Sequence, residues 1–234
     1  MKKHNMLCRL LCTLLVLAVL TAAAGVPAYA DGAVLTIGTD VMAAPGETVD
    51  IPIIVSGMSD LAVIQFALTY DPEILEYLDY TVGDLISGQN ELLDNPTTGE
   101  YYFVWINDTV LQADAGTVTT LHFRVKDTGA VSLDVDEGEE FVFASIVGGS
   151  TYNYYNPTIE YGRVVVPDFT LPSALTRIDS QAFTGTEASA VYIPENVTSI
   201  SADAFDNSVL LVYKEDSAAA AAAQGLNNPC VVIP

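Results

Sequence analysis

Between Val34 and Val166 apolar and polar residues alternate in short runs broken by turn residues, which predicts a β-sandwich. In Val49-Asp50-Ile51-Pro52-Ile53-Ile54-Val55 the odd positions are apolar. In the next run Ile64, Phe66, Leu68 and Tyr70 form the inward set and Gln65, Ala67 and Thr69 the outward one. From Thr119 to Lys126, Leu121, Phe123 and Val125 face inward, while Thr120, His122, Arg124 and Lys126 face outward. A period of two sends successive side chains to opposite sheet faces, so each such run has one wet face. Turns fall at Ala44-Pro45-Gly46, Asp71-Pro72, Ser87-Gly88, Asn95-Pro96 and Asp127-Thr128-Gly129. Glu100 to Asn107 departs from the pattern, because Tyr101, Phe103 and Trp105 form one apolar set and Tyr102, Val104 and Ile106 another. Such a strand is either central and covered on both sides, or it bears an exposed apolar contact stripe.

After Pro167 the texture changes to a repeat. Leu171, Ile178 and Phe183 recur as Ile193, Ile200 and Phe205, each 22 residues on. A fixed period of this size predicts a small solenoid in which each unit buries its apolar ridge against the next. Asp216-Ser217 can cap a short helix over Ala218–Ala223 that ends at Gly225. Val231-Val232-Ile233 then adds an apolar edge.

The N-terminus divides the chain into 1–30, 31–166 and 167–234. Lys2, Lys3 and Arg9, the apolar stretch Leu10 to Ala24 and the small-residue site Ala28-Tyr29-Ala30 read as an export signal. The protein is therefore expected to be secreted, extracellular or attached to the cell surface. The stretch is shorter than the roughly 20 residues of a membrane span, and no second one follows. Three of the eight basic residues leave with the signal, so five face all 30 acidic ones and the formal charge is −25. Such a chain repels nucleic acid and favours a basic or metal-loaded partner.

Little in the mature part speaks for catalysis. His122 alternates with solvent-facing Thr120 and Arg124 and reads as a surface side chain, and no nucleophile motif accompanies it. Cys230 is the single cysteine after the signal and reads as core. The acidic run Asp134 to Glu140 fails an EF-hand test, because Gly138, Glu139 and Ser145 stand where that loop needs an acid, a glycine and a glutamate. It reads as an exposed turn. No cofactor, metal or catalytic residue is expected.

Residues 33–166 resemble cohesin domains, the receptors of dockerin modules in cellulosomes. The resemblance rests on Pro45-Gly46-Glu47-Thr48-Val49, Phe66-Ala67-Leu68-Thr69-Tyr70-Asp71-Pro72 and Gly83-Asp84-Leu85-Ile86. Phe103-Val104-Trp105-Ile106-Asn107-Asp108, Gly116 through Val125, and Ile159-Glu160-Tyr161-Gly162-Arg163-Val164 continue it in family order. It implies a nine-stranded jelly-roll sandwich without a catalytic site, which binds dockerin across one flat sheet face. Carried over position by position, that face comprises Val63, Gln65, Tyr102, Val104, Ile106 and Asn107. Polar Asn and Asp are common at the first two positions in the best-known cohesin class, so a more apolar face leaves the partner's class open. The implied partner is a dockerin-bearing protein that carries its own calcium, in polysaccharide breakdown. Direct carbohydrate binding through Tyr101, Tyr102, Trp105, Tyr152, Tyr154 and Tyr155 is the competing expectation. A third is surface adhesion through residues 171–234, which resemble leucine-rich repeats of the bacterial surface-antigen type.

Overall fold

The computed structural model describes residues 29–30, 32–87, 92–107, 110–111, 113–138, 141–147 and 151–234. Most of residues 1–30, read above as an export signal, lies outside them. In chain order the strands of the first unit are β1 (Tyr29–Ala30), β2 (Val34–Ile37), β3 (Val41–Met42), β4 (Thr48–Ser56) and β5 (Leu61–Thr69). There follow β6 (Leu75–Val82), β7 (Leu92–Thr97), β8 (Glu100–Ile106), β9 (Gly116–Val125) and β10 (Gly129–Val131). The unit ends with β11 (Asp134–Asp136), β12 (Val142–Val147), β13 (Thr151–Tyr155), β14 (Thr158–Tyr161) and β15 (Val164–Val166).

Two sheets form the sandwich. One runs β1-β13-β12-β5-β8-β7, with β11 also paired to β5. The other runs β14-β2-β4-β9-β6, and a small third sheet is ordered β10-β15-β3. The inward sets of the alternating runs meet between the two layers. Phe66, Phe103, Phe123, Phe143 and Trp105 are fully buried there, each worth about 1.5–3 kcal/mol of transfer energy. Phe66 stacks on Phe103 at a centroid distance of 4.8 Å. Contrary to the expected turn, Asp134–Asp136 is a strand pairing antiparallel with Ala67 to Thr69. The pairing is driven by Val135, which packs against the core beside Leu68. Glu139 and Glu140 of the same run are outside the described residues.

The C-terminal unit contains β16 (Phe169–Thr170), β17 (Arg177–Ile178), β18 (Ala190–Tyr192), β19 (Ser199–Ile200), β20 (Leu210–Lys214), α1 (Ala218–Ala223) and β21 (Cys230–Ile233). Its strands pair in parallel, in the order β16-β18-β20-β21 and, separately, β17-β19. Phe169 meets Val191 and Arg177 meets Ser199, in each case 22 residues apart. Phe183 stacks on Phe205 at 5.1 Å. Ser217 caps α1 by accepting the Ala220 N–H. This unit is joined to the sandwich by an apolar seam, because Val165 of β15 is buried with Ala190, Val212 and Val231. Cys230, expected in the core, is exposed. It has the parity of Val232, which is 40 % exposed, whereas Val231 between them turns into the seam. No helix among the described residues is long and apolar enough to cross a membrane.

Candidate partner-binding face

Every strand of the β12-β5-β8 layer has a second face turned away from the sandwich core. Strand register decides which residues share it. Val63 pairs with Ile106, Gln65 with Val104 and Ala67 with Tyr102 between β5 and β8. On the other side of β5, Gln65 pairs with Val142 and Val63 with Ala144. Five of the six residues carried over from the sequence thus meet on one surface. Asn107 follows directly on Ile106, falls on the opposite parity, and anchors the strand end by donating its backbone N–H to Ala62.

An open contact stripe would leave these side chains wet. Instead Val63, Gln65, Tyr102 and Val104 are 0–5 % exposed, and Ile106 and Asn107 are half-buried. β8 is thus buried on both faces. Ala67, Tyr102 and Val104 form an apolar cluster separate from the sandwich core, with Ile106 and Val142 packed against it. Among the described residues, all its members come from β5, β8 and β12. At the centre sits Gln65, expected to face outward but fully buried, and among the described residues neither of its amide atoms has a hydrogen-bond partner. An amide orphaned in apolar surroundings costs on the order of 1–3 kcal/mol.

Reasoning from the sequence did not single out Val142, Ala144 and Ile146, and named Tyr152 and Tyr154 only for carbohydrate stacking; all five extend the surface. β12 pairs Ala144 with Tyr154 and Ile146 with Tyr152 on β13. The two-residue period keeps Ile146 on the Ala144 side; the register shift between Ala144 and Ser145 leaves Ala62 as an extra residue in β5 and brings Leu61 of the core opposite Ser145. The alternation Val142-Phe143-Ala144-Ser145-Ile146 was the available signal.

The opposite layer carries the charged network of the molecule. His122 of β9 lies 2.6 Å from Asp50 of β4 through Nδ1 and 2.8 Å from Thr81 of β6 through Nε2. The order hydroxyl, imidazole, carboxylate matches a nucleophile relay. Here, however, the three groups come from adjacent strands of one sheet face and tie β4, β9 and β6 together. Among the described residues, no group of three or more His, Cys, Asp or Glu side chains is placed to hold a metal ion.

Comparison with known proteins matches this architecture. The cohesin domain family matches residues 33–153. The chain is 27 % identical over 179 residues to cellulosomal-scaffolding protein B of Acetivibrio thermocellus, covering 64 % of this chain and 23 % of that protein. It is 29 % identical over 101 residues to cellulose-binding protein A of Clostridium cellulovorans, covering 42 % of this chain and 5 % of that protein. The chain thus spans less than a quarter of either relative. Among solved structures, the sixth cohesin of Acetivibrio cellulolyticus scaffoldin B, determined in complex with a Cel5 dockerin, superposes with a TM-score of 0.51 at 22 % identity, covering 58 % of this chain and 99 % of that one. With that family matched over more than half of its length, the chain belongs to the cohesin family.

Proposed function

We propose that this protein is a non-catalytic receptor whose β12-β5-β8 face binds the dockerin module of an extracellular protein in polysaccharide breakdown. The observation that carries the reading is the orphaned amide of Gln65 at the centre of an apolar surface. No described residue uses that amide, and it is satisfied once a partner brings a donor and an acceptor to it. Val63, Gln65, Tyr102, Val104 and Ile106 are the proposed contacts, with Asn107 at the rim. Apolar anchors at the centre and polar groups at the rim are the usual anatomy of a protein interface. The partner brings its own calcium.

The test is a pull-down with calcium-loaded dockerin fusions of several classes. Capture that is lost on chelating calcium supports the reading, and failure with every class removes it. Two finer proposals accompany it. Residues 1–30 direct export, on the strength of the apolar stretch Leu10 to Ala24. Residues 167–234 are a two-unit leucine-rich-repeat stack acting as spacer or cap, on the strength of the parallel ladders and the seam at Val165. A truncation after Pro167 that still binds dockerin would separate the receptor role from that unit.

A further inference from the structure

The outer edge of β21 has no partner among the described strands. Its inner edge belongs to β20, where Leu211 donates its N–H to the carbonyl of Pro229 and Glu215 to that of Ile233. Backbone groups alternate in direction along a strand, so those of Pro229, Val231 and Ile233 serve β20 and those of Cys230 and Val232 point away. The Arg163 guanidinium of the sandwich donates to the carbonyl of Cys230 at 3.5 Å. The free edge of β21 therefore faces the sandwich, and no described contact takes the N–H or the carbonyl of Val232.

Between this edge and the sandwich lies a cleft of about 340 Å³. Thr36, Glu160 and Tyr161 line it from β2 and β14, and Glu215 and Val232 from the C-terminal unit. Tyr161 and Val232 are 44 % and 40 % exposed, large apolar surfaces left open on facing walls. The sandwich wall is preformed, since Gly162 sits so close to Thr39 that a Cβ on it would lie 2.4 Å from the Thr39 backbone. Asp40, on the same wall, is paired with Arg163. Glu160 accepts the Thr36 hydroxyl, and among the described contacts neither it nor Glu215 meets a cation. An unpaired strand edge is a template for another extended chain, and acids beside it select a basic one.

We propose that this cleft takes an extended, basic segment of another protein, which adds to β21 as a further strand. Its backbone pairs with Val232, its Lys or Arg side chains meet Glu160 and Glu215, and an apolar side chain between them covers Tyr161 and Val232. A second copy of this chain is the wrong occupant, because five basic residues after residue 30 face 30 acidic ones and like charge repels. Arg177 and Lys214 of the C-terminal unit are moreover paired with Asp179 and Glu195.

The test mixes the purified protein with a short fluorescein-labelled peptide of alternating Lys and Val, read by anisotropy and by amide hydrogen exchange. Binding that slows exchange at the Val232 amide is expected. A peptide of alternating Glu and Val, and the Lys peptide with N-methylated backbone amides, are each expected to bind at least about tenfold more weakly. The double variant Glu160→Gln, Glu215→Gln weakens the Lys peptide about tenfold at low salt and less at high salt. Glu187→Gln, exposed elsewhere in the C-terminal unit, leaves its affinity unaltered. Val232→Pro removes the edge N–H while sparing the β20 ladder and is expected to abolish binding. The N-methylated peptide puts the same question to the unaltered chain, whether or not that variant folds. The proposal is overturned if the Lys peptide does not bind, if N-methylation leaves its affinity unchanged, or if the protected amides lie elsewhere. It is equally overturned if sedimentation shows a dimer that Val232→Pro dissociates, or if a soluble glucan oligosaccharide displaces the peptide.

Discussion

Gln65 of β5 stands in register with Val104 of β8 on one side and Val142 of β12 on the other, so a buried amide is enclosed by two β-branched side chains of its own sheet. Two opposite effects follow from changing it. Gln65→Met keeps the volume and removes the orphaned donor and acceptor, so unfolding free energy is expected to rise by about 1–2 kcal/mol. If a partner engages the amide, the same change weakens binding by about tenfold or more. Chemical denaturation and dockerin titration measure the two. A variant neither stabilised nor weakened in binding would remove Gln65 from the interface.

Val104 and Phe103 are neighbours on β8 but belong to different clusters, Val104 to the outer one and Phe103 to the core. Val104→Asp is expected to reduce dockerin binding by at least about 100-fold, since it places a charge at the apolar centre of the face. The core cluster stays intact, and Trp105 emission reports that. Phe103→Ala is expected to cost about 3–5 kcal/mol of stability by opening a cavity. Equal loss of stability in the two variants would mean that the outer cluster is a second structural core.

Phe66, Leu121 and Phe123 could be assigned to the interior from alternation alone, because a half-buried strand states its own facing. Tyr102 and Val104 were ambiguous for the same reason: a strand apolar on both sides carries no parity signal. What the sequence hid were events that break the period. The bulge opposite Ser145 inserts Ala62 into β5 and turns Leu61 into the core, although Val63 faces outward. Asp134 and Asp136 look like loop residues, yet pairing needs only one apolar residue between them, Val135. Cys230 was misplaced because parity on the edge strand β21 is set by the seam at Val231. Gln65 was legible as outward but not as buried, since burial depends on what covers a face.

Gly83 marks a close approach between β6 and β9 rather than a special backbone angle. A Cβ there would lie 2.0 Å from the carbonyl oxygen of Thr117, while the Gly83 N–H donates to Val118 at 2.9 Å. Both contacts are with backbone, which cannot swing aside. Gly83→Ala is expected to cost about 1–3 kcal/mol, read as a melting point lower by about 2–4 °C per kcal/mol. An unchanged melting point would show that the strands can separate without loss.

Asp168 joins the start of the C-terminal unit to the next repeat. Burial pushes its carboxyl up, but hydrogen bonds from the Ala190 and Ser189 N–H groups and from the Ser189 and Thr128 hydroxyls outweigh this and hold it below the usual range. A carboxyl lowered on folding stabilises above its unfolded value of about 3.9 and loses that contribution as pH falls through the folded value. Asp168→Asn is therefore expected to melt lower than the unaltered protein at neutral pH, and the gap should close below about pH 4. A gap of constant size from neutral pH to pH 3 would mean that the charge contributes nothing.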